Sequence, residues 1–443
     1  MTITDTIVAR ATAAGRGGVA VIRLSGPGVP AIARSLLGNL PKPRHATLSA
    51  FTDMDGEALD LGLAIFFPAP HSFTGEDVLE LHDHGGMVVT DMLLERITGM
   101  GARLARAGEF TERAFLNDKL DLTQAEAIAD LIDAGTRAAA RAAQRSMRGD
   151  FSAAVLALTE EVTELRTWVE AAIDFPDEEI DFLGTEELAG RVAAVASTFG
   201  RLETLARQGT LLRDGLRVAI IGRPNVGKSS LLNALAGYDA AIVTAVAGTT
   251  RDLVRERIDV DGLPIHVVDT AGLHASADVV EVEGMRRARG ELAACDHALV
   301  VVDEDNDSDL AALLAEVPDG LTRTVVRNKV DLSPPRSASQ ADVVYVSALT
   351  GHGLQPLRER LRAVAGFVPE GEGAVTARRR HLDCLRDARR HFDAACQLLQ
   401  RGNSGELVAD ELLQVQNALG GITGEFTSDD LLGRIFGAFC IGK

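Results

Sequence analysis

Aromatic residues are scarce, 4% of 443, and the cysteines are only four, Cys295, Cys384, Cys396 and Cys440, with no C-x-x-C spacing among them. Neither a disulfide framework nor a structural zinc site is therefore indicated, and the low thiol content suits a reducing cytoplasm. No apolar run approaches the length of a membrane span, so no membrane association is expected. The start, Met1-Thr2-Ile3-Thr4-Asp5, has neither a charged segment leading into an apolar core nor the Arg/Ser character of a transit peptide. The expectation is a cytoplasmic protein. Positive charge is also in deficit: 45 Lys and Arg against 64 Asp and Glu leave a net charge of −19. That is the wrong sign for gripping nucleic acid over a whole surface. An RNA substrate would need a local basic patch or a partner that carries it. The densest basic cluster is Arg378-Arg379-Arg380-His381, continued by Arg386, Arg389 and Arg390, and its plain reading is a solvated helix face.

What is present is ample apolar content, 46%, in a chain long enough for two or three domains. Its most informative stretch is Gly222-Arg223-Pro224-Asn225-Val226-Gly227-Lys228-Ser229, between the apolar run Val218 to Ile221 and an amphipathic segment. Glycines let backbone N–H groups close around a triphosphate, Lys228 reaches its outer phosphates and Ser229 can ligate Mg²⁺. Asp269-Thr270-Ala271-Gly272 follows a second apolar run, and Asn328-Lys329-Val330-Asp331 a third. An N-K-x-D tetrad supplies an amide for guanine O6 and a carboxylate for N1–H and the exocyclic amine, whereas adenine has the opposite donor pattern. Ser347-Ala348 can close the base pocket. Four motifs in this order, each behind a strand, say that the chain binds GTP.

Along the chain, residues 1–117 read as short strands and turns with some helix: Val19 to Leu24 and Leu63 to Phe67 as strands, Val88 to Ile97 as helix, and Glu80 at the end of a further strand. From about 119 helical spacing takes over, in Leu120 to Met147, Phe151 to Ile173 and Thr185 to Leu212, with an acidic run from Asp174 to Asp181. Strands alternate with helices over 213–368, the pattern of a doubly wound parallel sheet. Helical texture returns from Arg378 to the end, with an interruption expected at Gly420-Gly421. The expected architecture is α/β plus α: an N-terminal domain (1–117), a helical domain in two parts (118–212 and 369–443), and a Ras-like P-loop domain (213–368) inserted between them.

The GTPase centre departs from the Ras pattern. The residue after D-T-A-G, where Ras-like enzymes carry a water-orienting glutamine, is Leu273. The segment that follows offers Asp278, Glu281 and Glu283 as alternatives, against the plain reading of a solvated loop. Thr250, in Thr244-Ala245-Val246-Ala247-Gly248-Thr249-Thr250, is the natural second Mg²⁺ ligand. Asn225 adds an amide oxygen, and such a hard-oxygen set with few charges suits a monovalent cation; the alternative is that Asn225 bonds its own loop.

The chain resembles the MnmE (TrmE) family of tRNA modification GTPases over nearly its whole length. The likeness is carried by Asp5-Thr6-Ile7-Val8-Ala9, Gly15-Arg16-Gly17-Gly18-Val19, Ser72-Phe73-Thr74-Gly75-Glu76-Asp77, Gly108 to Phe115, Asn117 to Leu122, Ala171 to Phe182, the G motifs, and Gly424-Glu425-Phe426-Thr427 through Cys440-Ile441-Gly442-Lys443. The resemblance implies an N-terminal domain that binds 5-formyltetrahydrofolate or a related one-carbon folate and forms a homodimer. It implies a flavin-dependent partner of the MnmG type, with which an aminomethyl or carboxymethylaminomethyl group is built at carbon 5 of the wobble uridine of tRNA. It carries folate contacts to Arg23, Glu80, Lys119 and Lys443, and K⁺ ligation to Asn225, Thr244, Val246 and Thr249. The water-orienting glutamate becomes Glu281, with Lys228 the other catalytic group and Mg²⁺ on Ser229 and Thr250. The GTP-binding set extends over Asn225, Val226, Gly227, Lys228, Ser229, Ser230, Thr244 to Thr250, Asp269, Thr270, Ala271, Gly272, Asn328, Lys329, Asp331, Ser347, Ala348 and Leu349. His274 stands where relatives are expected to carry arginine.

Structural alternatives stand beside these readings. Arg23 and Lys119 read from sequence alone as ordinary surface cations, and Glu80 as a solvated edge. His82-Asp83-His84 invites a metal reading, although two His on one strand face are usually structural. Cys440 reads as a small buried apolar residue rather than a reactive thiol. Two other functions compete: a ribosome-assembly GTPase, which would need a basic RNA-binding module the acidic chain does not display, and a folate-gated scaffold in which GTP is only a switch.

Overall fold

The computed structural model describes residues 5–174, 186–237, 255–269, 290, 292–303, 307–332, 342–368, 373–401, 405–425 and 429–442. By compactness the chain divides into two units, one formed by Met1–Ala129 with Asn417–Lys443 and the other by Asp130–Gln416.

The first unit holds a six-stranded sheet in the order β3-β4-β5-β2-β1-β6, where β1 is Ile7–Arg10, β2 Ala20–Ser25, β3 Thr47–Thr52, β4 Ala58–Phe67, β5 Val78–Asp83 and β6 Arg103–Leu104. All neighbours are antiparallel except β1 and β6. Period-two alternation sorts the faces. Ile22 and Leu24 of β2 and Leu79 and Leu81 of β5 turn into a core with Phe51, Leu93 and Ile97, which the helices Val29–Leu37 and Met87–Gly99 help build. Arg23, Glu80 and His82 alternate with these residues and fall on the other face. Glu80 therefore lies inside β5 and directly opposite Arg23, not at a strand end as its sequence context suggests. Gly108 opens the helix Glu109–Leu116 at φ 68°. A Cβ there would strike the Phe436 carbonyl oxygen, which brings the C-terminal segment against this unit. Ala107 bridges to Ile441 and the Gly108 N–H donates to the Cys440 carbonyl at 3.3 Å.

The second unit contains a sheet in the order β12-β11-β10-β7-β9-β8, where β7 is Leu216–Ile221, β8 Arg255–Val260, β9 Leu263–Asp269, β10 His297–Asp303, β11 Thr322–Asn328 and β12 Val343–Tyr345. Only the β8–β9 pair is antiparallel. Parallel strands are covered on both faces and so run nearly continuously apolar. Val218 and Ile220 of β7 join one core, Ala219 and Ile221 the other.

Helices Arg137–Met147, Asp150–Asp174, Glu186–Asp214 and Arg379–Gln400 occupy the same unit. The single helical run expected over Leu120 to Met147 is two helices. The first ends at Asp133, and the second is started by Thr136, whose hydroxyl accepts from the Ala139 N–H at 3.1 Å. Conversely, Gly420-Gly421 does not interrupt a helix. Both lie inside Gly405–Thr423, which ends at Gly424 with φ 97° and with the Gly424 N–H bonded to the Gly420 carbonyl. Two glycines weaken a helix by only about 0.5–1 kcal/mol each relative to alanine, which packing outweighs. Asp130, buried, accepts with one oxygen from Arg213 Nε at 2.9 Å and from Arg378 Nη2 at 2.8 Å. Ser146 exchanges two hydrogen bonds with the backbone of Thr376.

Among the described residues no helix is long and apolar enough to cross a membrane.

Candidate functional site

The loop Gly222 to Gly227 leaves β7 and delivers the chain into the helix Lys228–Ala236. Two left-handed residues shape it, Asn225 at φ 64° and Gly227 at φ 89°. A Cβ on Gly227 would collide with the Asn328 amide nitrogen. Val226 is the loop's buried anchor, while Asn225, Ser229 and Ser230 are exposed. Lys228 Nζ donates to the carbonyls of Gly222 at 2.8 Å and Arg223 at 3.0 Å. One ammonium group, the first-turn hydroxyls and the unpaired N–H groups of a helix start thus share one rim, an arrangement that attracts anionic phosphate.

The second wall comes from the ends of β11 and β12. Asn328 is buried; its amide nitrogen donates to the Val226 carbonyl at 2.9 Å and its amide oxygen accepts from the Ala348 N–H at 3.1 Å. One amide hydrogen remains as a donor for a ligand. The side chain named from sequence as a base contact is therefore also the brace between the phosphate loop and the base loop. Lys329, left-handed at φ 66°, pairs with Asp303 at 3.0 Å. Asp331 accepts from the Ser347 hydroxyl at 2.5 Å, and that hydroxyl in turn accepts from the Thr350 N–H. This holds one carboxylate oxygen of an exposed Asp331. Leu349 is 85% exposed beside it. Asp269 closes β9, paired in parallel register with Ile220 of β7, so the D-T-A-G motif starts at the same edge of the sheet; its side chain is not described. Thr244, Ala245, Val246, Ala247, Gly248, Thr249, Thr250, Thr270, Ala271, Gly272, Glu281 and Lys443 lie outside the described residues, as do Leu273, His274, Asp278 and Glu283.

A separate constellation occupies the first unit. Arg23 Nε donates to Glu80 Oε1 at 2.9 Å, both groups half-buried, and the guanidinium stands 5.6 Å from the Phe73 ring centroid and 5.9 Å from that of Phe110. Lys119 donates to the Pro70 carbonyl at 3.1 Å and packs along Gly75, so it lies on the same segment, Pro68 to Asp77, that carries Phe73. Arg23, Glu80 and Lys119 thus gather around one loop.

Sequence reading missed the support beneath it. Arg113 is fully buried and bonds Asp5 at 2.8 Å, Glu76 at 3.1 Å and Glu109 at 3.2 Å. Burial works to raise the Glu109 carboxyl, but bonds from Arg103, the Arg106 backbone and Arg113 overcome it and hold the pKa at about 2. The only signal for this was the density of charge in Gly108 to Phe115. Phe73 and Phe110 were visible within the motifs but carried nothing to say that they face Arg23.

His84 follows the end of β5 and pairs with Asp60 at 2.7 Å. His82 Nε2 sits 3.8 Å from Glu80. No group of residues that could hold a metal ion occurs among the described residues. Cys440 is exposed, a correction to the buried apolar reading: the backbone on either side is tied to Ala107 and Gly108, while the thiol faces outward.

Two sequence-family models match the chain: "GTP-binding protein TrmE N-terminus" over residues 6–119 and "MnmE helical domain" over residues 122–440. The tRNA modification GTPase MnmE of Sodalis glossinidius is 53% identical over 455 residues, covering 100% of both chains. That of Yersinia pestis (strain Angola) is 52% identical with the same coverage. The MnmE of Nitrosococcus oceani is 53% identical over 447 residues, 100% of this chain and 98% of its own.

Proposed function

The chain belongs to the MnmE family of tRNA modification GTPases, and from that premise we propose that it hydrolyses GTP to drive modification of the wobble uridine of tRNA at carbon 5. The observation that carries the reading is the phosphate loop Gly222 to Ser229, braced by Asn328 to the loop that presents Asp331, in a chain alike to this family from end to end. The full-length likeness also sets aside the ribosome-assembly and scaffold alternatives.

In this reading Lys228 holds the outer phosphates. Asp331 reads guanine through its carboxylate, and Asn328 offers its remaining amide hydrogen to the base. Ser347, Ala348 and Leu349 line the base pocket. Val226 anchors the loop, and Ser230 adds a first-turn N–H. Mg²⁺ would be held by Ser229 and Thr250, and K⁺ by Asn225, Thr244, Val246 and Thr249. The exposed left-handed Asn225 and the exposed Ser229 at the first helical turn fit such oxygen donation. These ions neutralise phosphate charge when bound. Glu281 orients water in place of the absent glutamine.

A one-carbon folate, 5-formyltetrahydrofolate or a relative, is assigned to Arg23, Glu80, Lys119 and Lys443. The supporting chemistry is a carboxylate for a pterin, cations for a glutamate tail, and the exposed ring of Phe73 as a flat wall. The domains are drawn at 1–117, 118–212, 213–368 and 369–443. Homodimerisation through the N-terminal domain is supported by one face of the β3–β4 hairpin, where Leu48 and Leu61, 66% and 55% exposed, stand with Leu63. An MnmG-type flavoprotein completes the machinery.

Mass spectrometry of wobble uridines tests the proposal, in a strain lacking this chain and complemented with wild type or Lys228→Ala. The carbon-5 substituent should vanish in the deletion, return with wild type and stay absent with the variant. Its persistence in the deletion strain would refute the function.

A further inference from the structure

The helices Glu186–Asp214 and Arg379–Gln400 enclose a cleft of about 550 Å³ in the second unit. Leu382 and Leu385 contribute apolar lining. Arg207 stands on one helix; Arg386 and Arg390, one helical turn apart, stand on the other. Arg389, between them in sequence, is held by Asp393 at 2.9 Å and by the rings of Phe199 and Phe392 at 5.8 and 6.0 Å. Against these four arginines stand Glu203 and Asp393 in the lining and Asp383 and Asp387 just outside it, in a chain whose net charge is −19. Arg386 and Arg390 are 75% and 71% exposed and pair with Asp383 at 2.8 Å and Asp387 at 3.4 Å, three residues away on their own helix, with His391 also 3.4 Å from Arg390. Such exposed pairs hold little and exchange readily for a phosphate, to which guanidinium bonds in bidentate fashion.

We infer that this cleft seats the phosphate backbone of an RNA, the local basic patch that an acidic chain needs for an RNA substrate. The inference rests on the reading of the chain as tRNA-modifying. Guanidinium groups from two helices, two of them held only by exposed ion pairs, favour a polyanion over an apolar protein helix.

The test uses the full-length protein and fluorescence anisotropy with a labelled unmodified tRNA transcript, titrated between 50 and 200 mM KCl, conditions in which phosphate contacts show their salt dependence. The triple variant Arg207→Glu, Arg386→Glu, Arg390→Glu should bind at least about tenfold more weakly, and its slope of log affinity against log salt should be shallower by about 2–3. An unrelated RNA hairpin should weaken by the same factor. The triple Arg→Lys variant should retain most binding, and GTP hydrolysis without RNA should be unchanged in both. If charge reversal impairs folding in a thermal melt, the triple Arg→Gln variant carries the test, with a smaller loss in the same direction. Wild-type affinity and slope in the variant would overturn the inference and leave the proposed function standing. Such a result together with lost binding of the flavin-dependent partner would reassign the cleft to an acidic protein surface. Failure of the wild type to bind the transcript would overturn the tRNA reading and this inference with it.

Discussion

In the mostly parallel sheet of the second unit, the groups at the candidate nucleotide site are backbone N–H groups, the Lys228 ammonium, first-turn hydroxyls, one amide and one carboxylate, drawn from loops that directly follow β7, β11 and β12. In the mixed sheet of the first unit, the candidate folate groups are charged side chains and one ring brought from three separated segments, at Arg23, Phe73 to Glu80 and Lys119. The first site is organised locally, since a helix start and a left-handed glycine impose it wherever the motif occurs. The second is organised by register: Arg23 meets Glu80, 57 residues on, only because β2 pairs with β5 as it does. Shifting β5 by one residue against β2 would turn Glu80 to the face opposite Arg23. A backbone-built site survives substitution of its neighbours, while a register-built site depends on the whole sheet.

The comparison breaks most visibly if the two sites are not separable. Lys228→Ala should lower GTP hydrolysis at saturating GTP by about 10²–10³ and leave formyl-tetrahydrofolate binding unchanged in calorimetry; loss of both would mean one coupled site. The two units should also differ in acid. His297, buried on β10 between Thr322 and Thr324, has its pKa pushed down to about 4 by burial and by Arg360. The unfolded chain therefore binds a proton that the folded one refuses, and stability present above pH 6.5 is lost as pH falls toward 4, by about 3 kcal/mol. Glu109 in the first unit holds its charge down to about 2, so its contribution is present above about pH 4.5 and fades below it. The fluorescence of Trp168, which lies in the second unit, should show a urea midpoint that drops between pH 7 and 5, and His297→Gln should flatten that drop. A flat wild-type profile would remove His297 from the account.

Asp331→Asn should weaken GTP at least tenfold, the cost of a charge-assisted bond of about 1.5–3 kcal/mol, and favour xanthine nucleotides. Equal GTP binding in a competition assay would refute guanine reading by Asp331. The smallest effect sharpens the register argument. Glu80→Ala should weaken folate about tenfold, within the range for a hydrogen bond to a charged group, and leave GTP binding intact. Normal folate affinity would move that site away from Arg23 and Glu80.

The nucleotide half of the molecule was legible because its motifs are contiguous and each follows an apolar strand. Even so, the brace from Asn328 to Val226 was not, since a tetrad read as base-recognising gives no hint that its amide also ties two loops together. On the first sheet, Arg23, Glu80 and Lys119 were visible only through family likeness, and their aromatic and buried-arginine support not at all. Arg113 reads as one cation among many until three carboxylates are found around it. Gly420-Gly421 misled because glycine is a local signal, and burial of the helix that carries it is not.

Asp130 gathers Arg213 and Arg378 onto one oxygen, so the polypeptide departs toward β7 and returns after the helix Leu354–Ala365 at a single point. The chain from Asp214 to Ala377 can therefore be regarded as a cassette that leaves and returns at one junction, with Ser146 and Ala142 of the neighbouring helix packed against it. A short glycine-rich splice across that junction would remove the cassette without threading or stretching the remaining chain, and a foreign domain with neighbouring termini could be grafted in its place.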